Sequence, residues 1–407
     1  MASEADRPRA DQRRWGTAAP SIPAGRSGDE SRAPGPEVGI GIIGCGMMGK
    51  AHSYGYTLAP HIRPLPCRPR LRVISGRHRD AVQSAARSYG VERTVTDWRQ
   101  VIADPGVEIV DICTPPGTHP EIVRAAAQAG KAIVCEKPLA ADYAGALSAA
   151  QAVRDAGVRH VVAFNYRRLP ALALMKQMID QGRVGRPRLW RATWLSDEFL
   201  DPDVPFDWRF QRRQGASTIA DLGAHLIDLA GWMVGPVVSV SAQSETFISE
   251  RRDPDGRPGT TVKVDNDDAS SALLRFDGAA LGVLETAKVA PGRPCDFVVE
   301  VNGSRGTLRF DYARLNELWY ADRDEPPELY GMRRIRAEHA THPQTAGWWP
   351  IGQGIGYGAS FVNQAADLLA AWPAGDWVPG LETGLEVQGV CEAIERAAAQ
   401  RRWVDVA

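Results

Sequence analysis

From Val38 onward the chain alternates short apolar runs with longer stretches of helical spacing. Val38-Gly39-Ile40-Gly41-Ile42-Ile43 has no polar member, which predicts a strand buried on both faces. Comparable runs follow at 71–75, 109–114, 132–135 and 161–164. Between them, 81–89, 120–129 and 143–155 are Ala-rich with apolar residues at helical spacing. Strand and helix in strict alternation predict a parallel sheet with right-handed crossovers. Gly90, Gly130 and Gly157 follow the helical stretches, where a left-handed residue often closes a helix.

After about residue 165 the rhythm changes. Helical spacing is predicted at 172–181, 217–233 and 384–400, and strands at 188–194, 237–247, 270–276, 280–287, 297–301 and 307–310. Asp277-Gly278 and Asn302-Gly303 stand between such runs as hairpin turn signals, so these strands are expected to form a largely antiparallel sheet. Residues 1–36 have almost no large apolar side chains and cannot bury enough surface to offset chain entropy. The expected organisation is α/β: a disordered extension over 1–36, a Rossmann dinucleotide-binding domain over 37–163, and a C-terminal α+β domain with an open sheet over 164–407, for substrate binding and oligomerisation.

Composition narrows the function by exclusion. Lys and Arg number 48 against 49 Asp and Glu, a net charge of −1 over 407 residues, so no basic footprint invites nucleic acid or an anionic membrane. No apolar run approaches the roughly 20 residues that cross a bilayer. Arg13-Arg14 is followed by no apolar segment, which argues against an export signal. The six cysteines at 45, 67, 113, 135, 295 and 391 make no CxxC pair, so reduced thiols and a cytoplasmic location are expected.

Chemistry enters with Gly44-Cys45-Gly46-Met47-Met48-Gly49, a GxGxxG turn between a buried strand and a helix. Gly44 permits the tight turn, Gly46 lets a pyrophosphate approach, and Gly49 lets the helix pack closely. The helix N-terminus then offers unpaired N–H groups to phosphate. The second strand ends Ser75-Gly76-Arg77, with no carboxylate for a ribose. Arg77 suits a 2′-phosphate or an adenine face, or is a solvated loop residue, so this position leaves NAD and NADP both open.

Loops after parallel strands line the ligand crevice. Thr114-Pro115-Pro116-Gly117-Thr118-His119 is such a loop, with His119 either facing the cofactor or starting a helix. Glu136-Lys137-Pro138 is another. Lys137 can donate to a substrate oxygen, and burial beside a cofactor cation would lower its pKa. Asp221 and His225 stand four apart on the helical stretch 217–233, which puts them on one face as a pair suited to proton transfer, with Asp228 three further on. A helix-stabilising pair is the plainer alternative, and no metal is expected, because further His or Cys ligands are lacking nearby.

Taken in order, these motifs resemble the glucose–fructose oxidoreductase and inositol dehydrogenase family, Gfo/Idh/MocA, over residues 38–406. The resemblance rests on Ile43 through His52, Cys113-Thr114-Pro115-Pro116 with His119, Cys135-Glu136-Lys137-Pro138-Leu139, Phe164-Asn165-Tyr166-Arg167-Arg168, Asp207-Trp208-Arg209 and Asp221-Leu222-Gly223-Ala224-His225. It implies that Lys137, Asp221 and His225 are catalytic, with Tyr166 and Arg167 also at the substrate. It implies that Gly44 through Gly49, Gly76, Arg77, Thr114, Pro115, His119, Glu136, Lys137, Asn165, Trp208 and Arg209 contact the cofactor. Ala51-His52-Ser53-Tyr54, 60–69, Trp190 through Thr193, Leu315 through Leu318 and Trp348-Trp349-Pro350 look like the levoglucosan dehydrogenase branch, which implies NAD. Gln214 through Ile219 departs from the Gly-rich stretch of many relatives.

The function so implied is hydride transfer between a secondary hydroxyl of a sugar, anhydrosugar or cyclitol and the nicotinamide, in a homodimer or homotetramer. In this reading His225 takes the hydroxyl proton, Asp221 holds the imidazole, and Lys137 stabilises the alkoxide; the Lys137 and His225 roles are open to exchange, because proton relays in such clusters are shared. Trp194, Trp208, Trp348 and Trp349 are candidates for the sugar face or for core packing. Two alternatives stay open: reduction of a keto-sugar or aldehyde in a biosynthetic pathway, and a dinucleotide-sensing regulator without chemistry.

Overall fold

A computed structural model describes residues 35–257 and 259–406. The extension expected over 1–36 lies outside the described residues apart from Gly35 and Pro36. The first apolar runs form β1 (Glu37–Ile43), β2 (Arg68–Ser75), β3 (Arg93–Val95), β4 (Ile109–Ile112), β5 (Ala132–Cys135) and β6 (His160–Val162). They make one parallel sheet in the order β3-β2-β1-β4-β5-β6. The helices between them are α1 (Met47–Ile62), α2 (Arg79–Tyr89), α3 (Arg99–Ile102), α4 (His119–Gln128) and α5 (Tyr143–Ala156).

Uninterrupted apolarity follows from burial on both faces. Ile40 and Ile42 point into a cluster with Tyr56 and Ala59 of α1, whereas Ile43, Val110 and Ile112 point into one with Val123 and Ala146 of α4 and α5. Each fully buried Ile contributes about 1.5–3 kcal/mol. Strand order reverses direction between β1 and β4, so the loops after β1, β4 and β5 open at one edge, where such sheets bind ligands.

The rest of the chain gives α6 (Pro170–Asp180), β7 (Pro187–Leu195), α7 (Ala224–Met233), β8 (Val237–Glu245), a small pair β9 (Glu250–Arg252) and β10 (Thr261–Lys263), then β11 (Ala269–Phe276), β12 (Leu281–Ala287), β13 (Asp296–Gly303), β14 (Gly306–Asp311), β15 (Glu317–Asp322), β16 (Arg333–Arg336), α8 (Ala359–Ala370), α9 (Leu381–Gln400) and β17 (Val404–Asp405). The second sheet runs β16-β15-β14-β13-β7-β12-β11-β8-β17. Phe297, Val299 and Val301 of β13 and Trp190, Ala192 and Trp194 of β7 face its helix-covered side, as period-two alternation requires. The sheet is mixed rather than wholly antiparallel, because β7 and β12 pair in parallel.

Two departures from the sequence pattern bear on the site. The helix expected over 217–233 begins as a π-helical turn, Ile219–Gly223, and becomes regular only at α7. Helix α8 shows no clean polar face because it is buried nearly all round, packed on α1. Helix α9 packs on α5, and Pro379 O accepts from Val162 N at 3.0 Å, so the C-terminal segment returns to cover the first sheet.

Candidate active site

The glycine turn behaves as its spacing predicts. Gly44 has φ +113°, and a Cβ there would lie 2.6 Å from Cys113 O. A Cβ on Gly49 would lie 2.1 Å from Gly44 O, whereas one on Gly46 meets nothing within 4 Å. Helix α1 starts at Met47 with no side-chain cap and no acidic residue in its first turn. Its free N–H groups and positive end are thus left for an anion, and the open cradle at Gly46 fits a dinucleotide pyrophosphate. Gly44 N donates to Ser75 O at 3.0 Å, and a Cβ on Gly76 would come 2.6 Å from Cys45 Sγ, which sets Gly76 and the exposed Arg77 beside the turn. Met47 is exposed and Met48 half-buried on the same rim.

Thr114 and Pro115 are half-buried at the end of β4, with Thr114 Oγ1 2.7 Å from Thr118 Oγ1. His119 starts α4, the plainer of its two expected roles. It is fully buried, with Nδ1 3.1 Å from Pro138 O and Nε2 2.7 Å from Thr114 O. Its ring ties the Thr114 loop to the Lys137 loop, and burial holds its pKa below the usual range.

Lys137 Nζ donates to Asp221 Oδ1 and to Asp221 O, both at 2.9 Å. The other carboxylate oxygen, Oδ2, accepts from Lys288 Nζ at 2.6 Å. Asp221 therefore does not hold His225 as expected; both its oxygens belong to lysines. Burial alone would raise the Asp221 carboxyl, but the two ammonium groups hold it well below the usual range. The expected lowering of Lys137 is also reversed: burial pulls it down, and Asp221 with Glu136 more than offsets this, leaving it raised. His225 is 5% exposed, and its Nδ1 has no hydrogen-bond partner. Burial, reinforced by the Lys137 charge, holds its pKa well below the usual value, so the ring is neutral near pH 7. Its ring lies 4.7 Å from Tyr166 and 5.6 Å from Trp194, centroid to centroid.

Glu136 is buried rather than open to the crevice. Oε2 accepts from Lys137 N at 2.9 Å, and Oε1 lies 3.0 Å from His52 Nε2. On its other side, His52 Nδ1 lies 2.9 Å from both oxygens of Asp111, which also accepts from Tyr56 Oη at 2.8 Å and Cys113 Sγ at 3.3 Å. Burial opposes charge on His52, but Asp111 outweighs it and raises the pKa well above 6.5. A raised folded-state pKa stabilises fully below the unfolded value and is lost as pH rises through the folded one. Thermal unfolding is thus expected to show a larger fall in Tm from about pH 6 to about pH 10 in the wild-type chain than in His52→Gln; parallel falls would remove His52 from this role.

Two further expectations are corrected. Arg167 does not reach the crevice: it forks onto Asp228 at 2.6–3.1 Å, which also removes Asp228 from the Asp221–His225 group. Tyr166 is buried, with its ring 4.7 Å from that of His225. Asn165 is buried and donates to Ser360 Oγ at 2.8 Å, which ties the β6 loop to α8. Trp208 stacks under Arg209 at 4.6 Å on a short turn, with Arg209 paired to Asp207. Of the other tryptophans, Trp194 is core and Trp348 donates to Asn363 Oδ1 at 2.9 Å. Sequence reasoning missed Lys288, the His52–Asp111 pair, and Tyr312 and Tyr357, whose rings lie 6.2 and 5.9 Å from Tyr166. Of these, only His52 left a sequence signal, one turn beyond the glycine motif.

Residues 38–164 match the model of the oxidoreductase family with an NAD-binding Rossmann fold, and residues 172–309 match the Gfo/Idh/MocA C-terminal domain. The chain is 39% identical over 381 residues to levoglucosan dehydrogenase of Pseudarthrobacter phenanthrenivorans, covering 90% of this chain and 97% of that protein. It is 25% identical to inositol 2-dehydrogenase of Rhizobium meliloti, over 91% of this chain and 99% of that one. A solved levoglucosan dehydrogenase in complex with NADH superposes with a TM-score of 0.87 at 38% identity, covering 91% of this chain and 99% of that one. Glycine turn, Lys137 loop, second sheet and full-length relatives thus converge: the chain belongs to the Gfo/Idh/MocA family and is an NAD-binding dehydrogenase.

Proposed function

We propose that the chain oxidises a secondary ring hydroxyl of a neutral sugar, anhydrosugar or cyclitol, with Lys137, Asp221 and His225 as the reacting constellation. The observation that carries this reading is the hold of Asp221 on Lys137, at the carboxyl end of β5, by two bonds of 2.9 Å, four positions before His225, whose Nδ1 has no partner. Two of the three ammonium hydrogens of Lys137 go to Asp221, and the third is left for the substrate oxygen. There it binds the hydroxyl and stabilises alkoxide character. His225 takes up the hydroxyl proton as a neutral base, and the nearby Asp221 charge favours the imidazolium through space. When bound, NAD supplies the hydride acceptor. Tyr312 and Tyr357 offer aromatic faces suited to the C–H face of a sugar ring.

The relatives named for levoglucosan and inositol support a neutral polyol. The test follows absorbance of reduced cofactor with NAD and with NADP across levoglucosan, pyranoses and inositols. Reduction of NAD by at least one of them is expected; inertness across the panel, with NADH still bound, would turn the reading towards a dinucleotide sensor.

The same reading includes a homo-oligomer. Leu189, Leu273, Leu281 and Val283 are exposed on the outer face of the second sheet. Leu281 pairs with Leu189 and Leu273 with Val283, so they form one contiguous apolar patch that a second copy would cover. Light scattering is expected to report a dimer or tetramer, and a smaller species for Leu281→Glu. All six cysteines are free thiols, which supports a reducing, cytoplasmic setting.

A further inference from the structure

Lys288 follows β12 directly and is 4% exposed. Its backbone is pinned on both sides: N donates to Asp268 O at 2.9 Å, and O accepts from Phe199 N at 3.0 Å. Its ammonium lies 4.9 Å from the Phe199 ring centroid and donates to Asp221 Oδ2 at 2.6 Å. A lysine buried this far must be paired. Its partner is the carboxylate that also holds Lys137, so one carboxylate serves two cations, with the pinned one on the far side from the Lys137 loop.

Neighbouring acids do not relieve this arrangement. Asp267 is buried close by, but it accepts from Thr218 N at 3.0 Å and from Thr218 Oγ1. Thr286 Oγ1 donates to Thr218 Oγ1 at 3.0 Å, which locks that acceptor set. Lys137 itself is faced by Asp221, by Glu136 of its own loop, by Tyr357 ahead of α8, by His225 on α7 and by Cys391 on α9.

We propose that Lys288 is a positioning residue for the oxidation: by holding Asp221 Oδ2 it keeps that carboxylate shared between two ammonium groups and turned away from His225, and so sets the placement and charge of Lys137. The inference rests on the function proposed above. Without Lys288, Lys137 would have the whole Asp221 charge and lose a like-charged neighbour. Both changes tighten its hold on its proton, in the same direction.

The experiment measures Lys137 directly, so that it reads independently of any sugar. The rate of Lys137 acylation by acetic anhydride, followed by mass spectrometry against pH, gives its titration in wild type, Lys288→Met, Lys288→Gln and Lys288→Arg. NADH binding and steady-state oxidation are measured on the same proteins. Expected for the Met and Gln variants is a Lys137 midpoint raised by about one pH unit. Expected with it is a kcat lower by about tenfold or more, with KM for NAD unchanged and the alkaline limb of kcat displaced upward. Arg, which keeps the charge, should restore both. An unchanged labelling profile in folded Met or Gln variants overturns the proposal, whatever their turnover. Failure of both to fold, with Arg folding normally, also overturns it and makes Lys288 a structural support. A labelling shift in a wild-type chain that oxidises no polyol overturns the substrate reading but leaves the hold of Lys288 on Lys137 standing.

Discussion

Lys137→Met is expected to lower kcat by about 10²–10⁴-fold while NADH binds within about threefold of its wild-type Kd. In the function proposed above the ammonium is the group that would meet a substrate oxygen, and it is aimed by two bonds of 2.9 Å to Asp221. Methionine matches its length without a charge or donor. The pyrophosphate cradle at Gly46 and α1 lies on a separate loop after β1, so cofactor affinity has no reason to follow turnover down. Asp221 retains Lys288 as a partner in this variant, so the fold is not left with an unpaired carboxylate. Wild-type turnover in Lys137→Met would remove the residue from the chemistry. Loss of NADH binding in step with kcat would mean that the site had collapsed instead.

Arg167→Met is expected to cost about 3–5 kcal/mol of stability, because it strands a buried carboxylate. Asp228 is 1% exposed at its side chain and Arg167 is 15% exposed, with three bonds between them. Burial already holds the Asp228 carboxyl above its usual range, and Arg167 restrains that rise. Without the guanidinium the folded-state value climbs further. A group with a raised folded-state pKa costs stability as pH rises through that value. The loss in denaturant midpoint should therefore grow from about pH 5 to about pH 8. If Arg167 instead met the substrate, the variant would keep its stability and show a raised KM, so the two assignments separate cleanly.

The parts of the site that were legible in the sequence are those whose chemistry is local. Gly44, Gly46 and Gly49 act within one turn, through φ, a close approach and an open cradle, so their spacing alone predicts the outcome. Lys137 stands at the end of a strand whose apolar run is unmistakable, so its place at the crevice follows from topology. His119 and Arg167 misled for a common reason. Each has a motif position suited to a ligand, but its partners lie elsewhere: the His119 ring bridges Thr114 and Pro138, and Arg167 meets a residue 61 positions away. The π-helical turn at Ile219–Gly223 was hidden as well, since its sequence continues the helical spacing of α7.

By itself, the sequence determined the alternating strands and helices, the glycine turn, the position of Lys137 and the neutrality of the whole chain. Periodicity and backbone freedom act over a few residues, so neighbours in the chain suffice to specify them. Only the tertiary structure decided which charge meets which: Asp221 between Lys137 and Lys288, His52 between Asp111 and Glu136, and Asp228 with Arg167 rather than near His225. Coulomb attraction and desolvation depend on distance and burial in space. Residues 59 to 84 positions apart become partners only when the packing of helices and sheets brings them together in space.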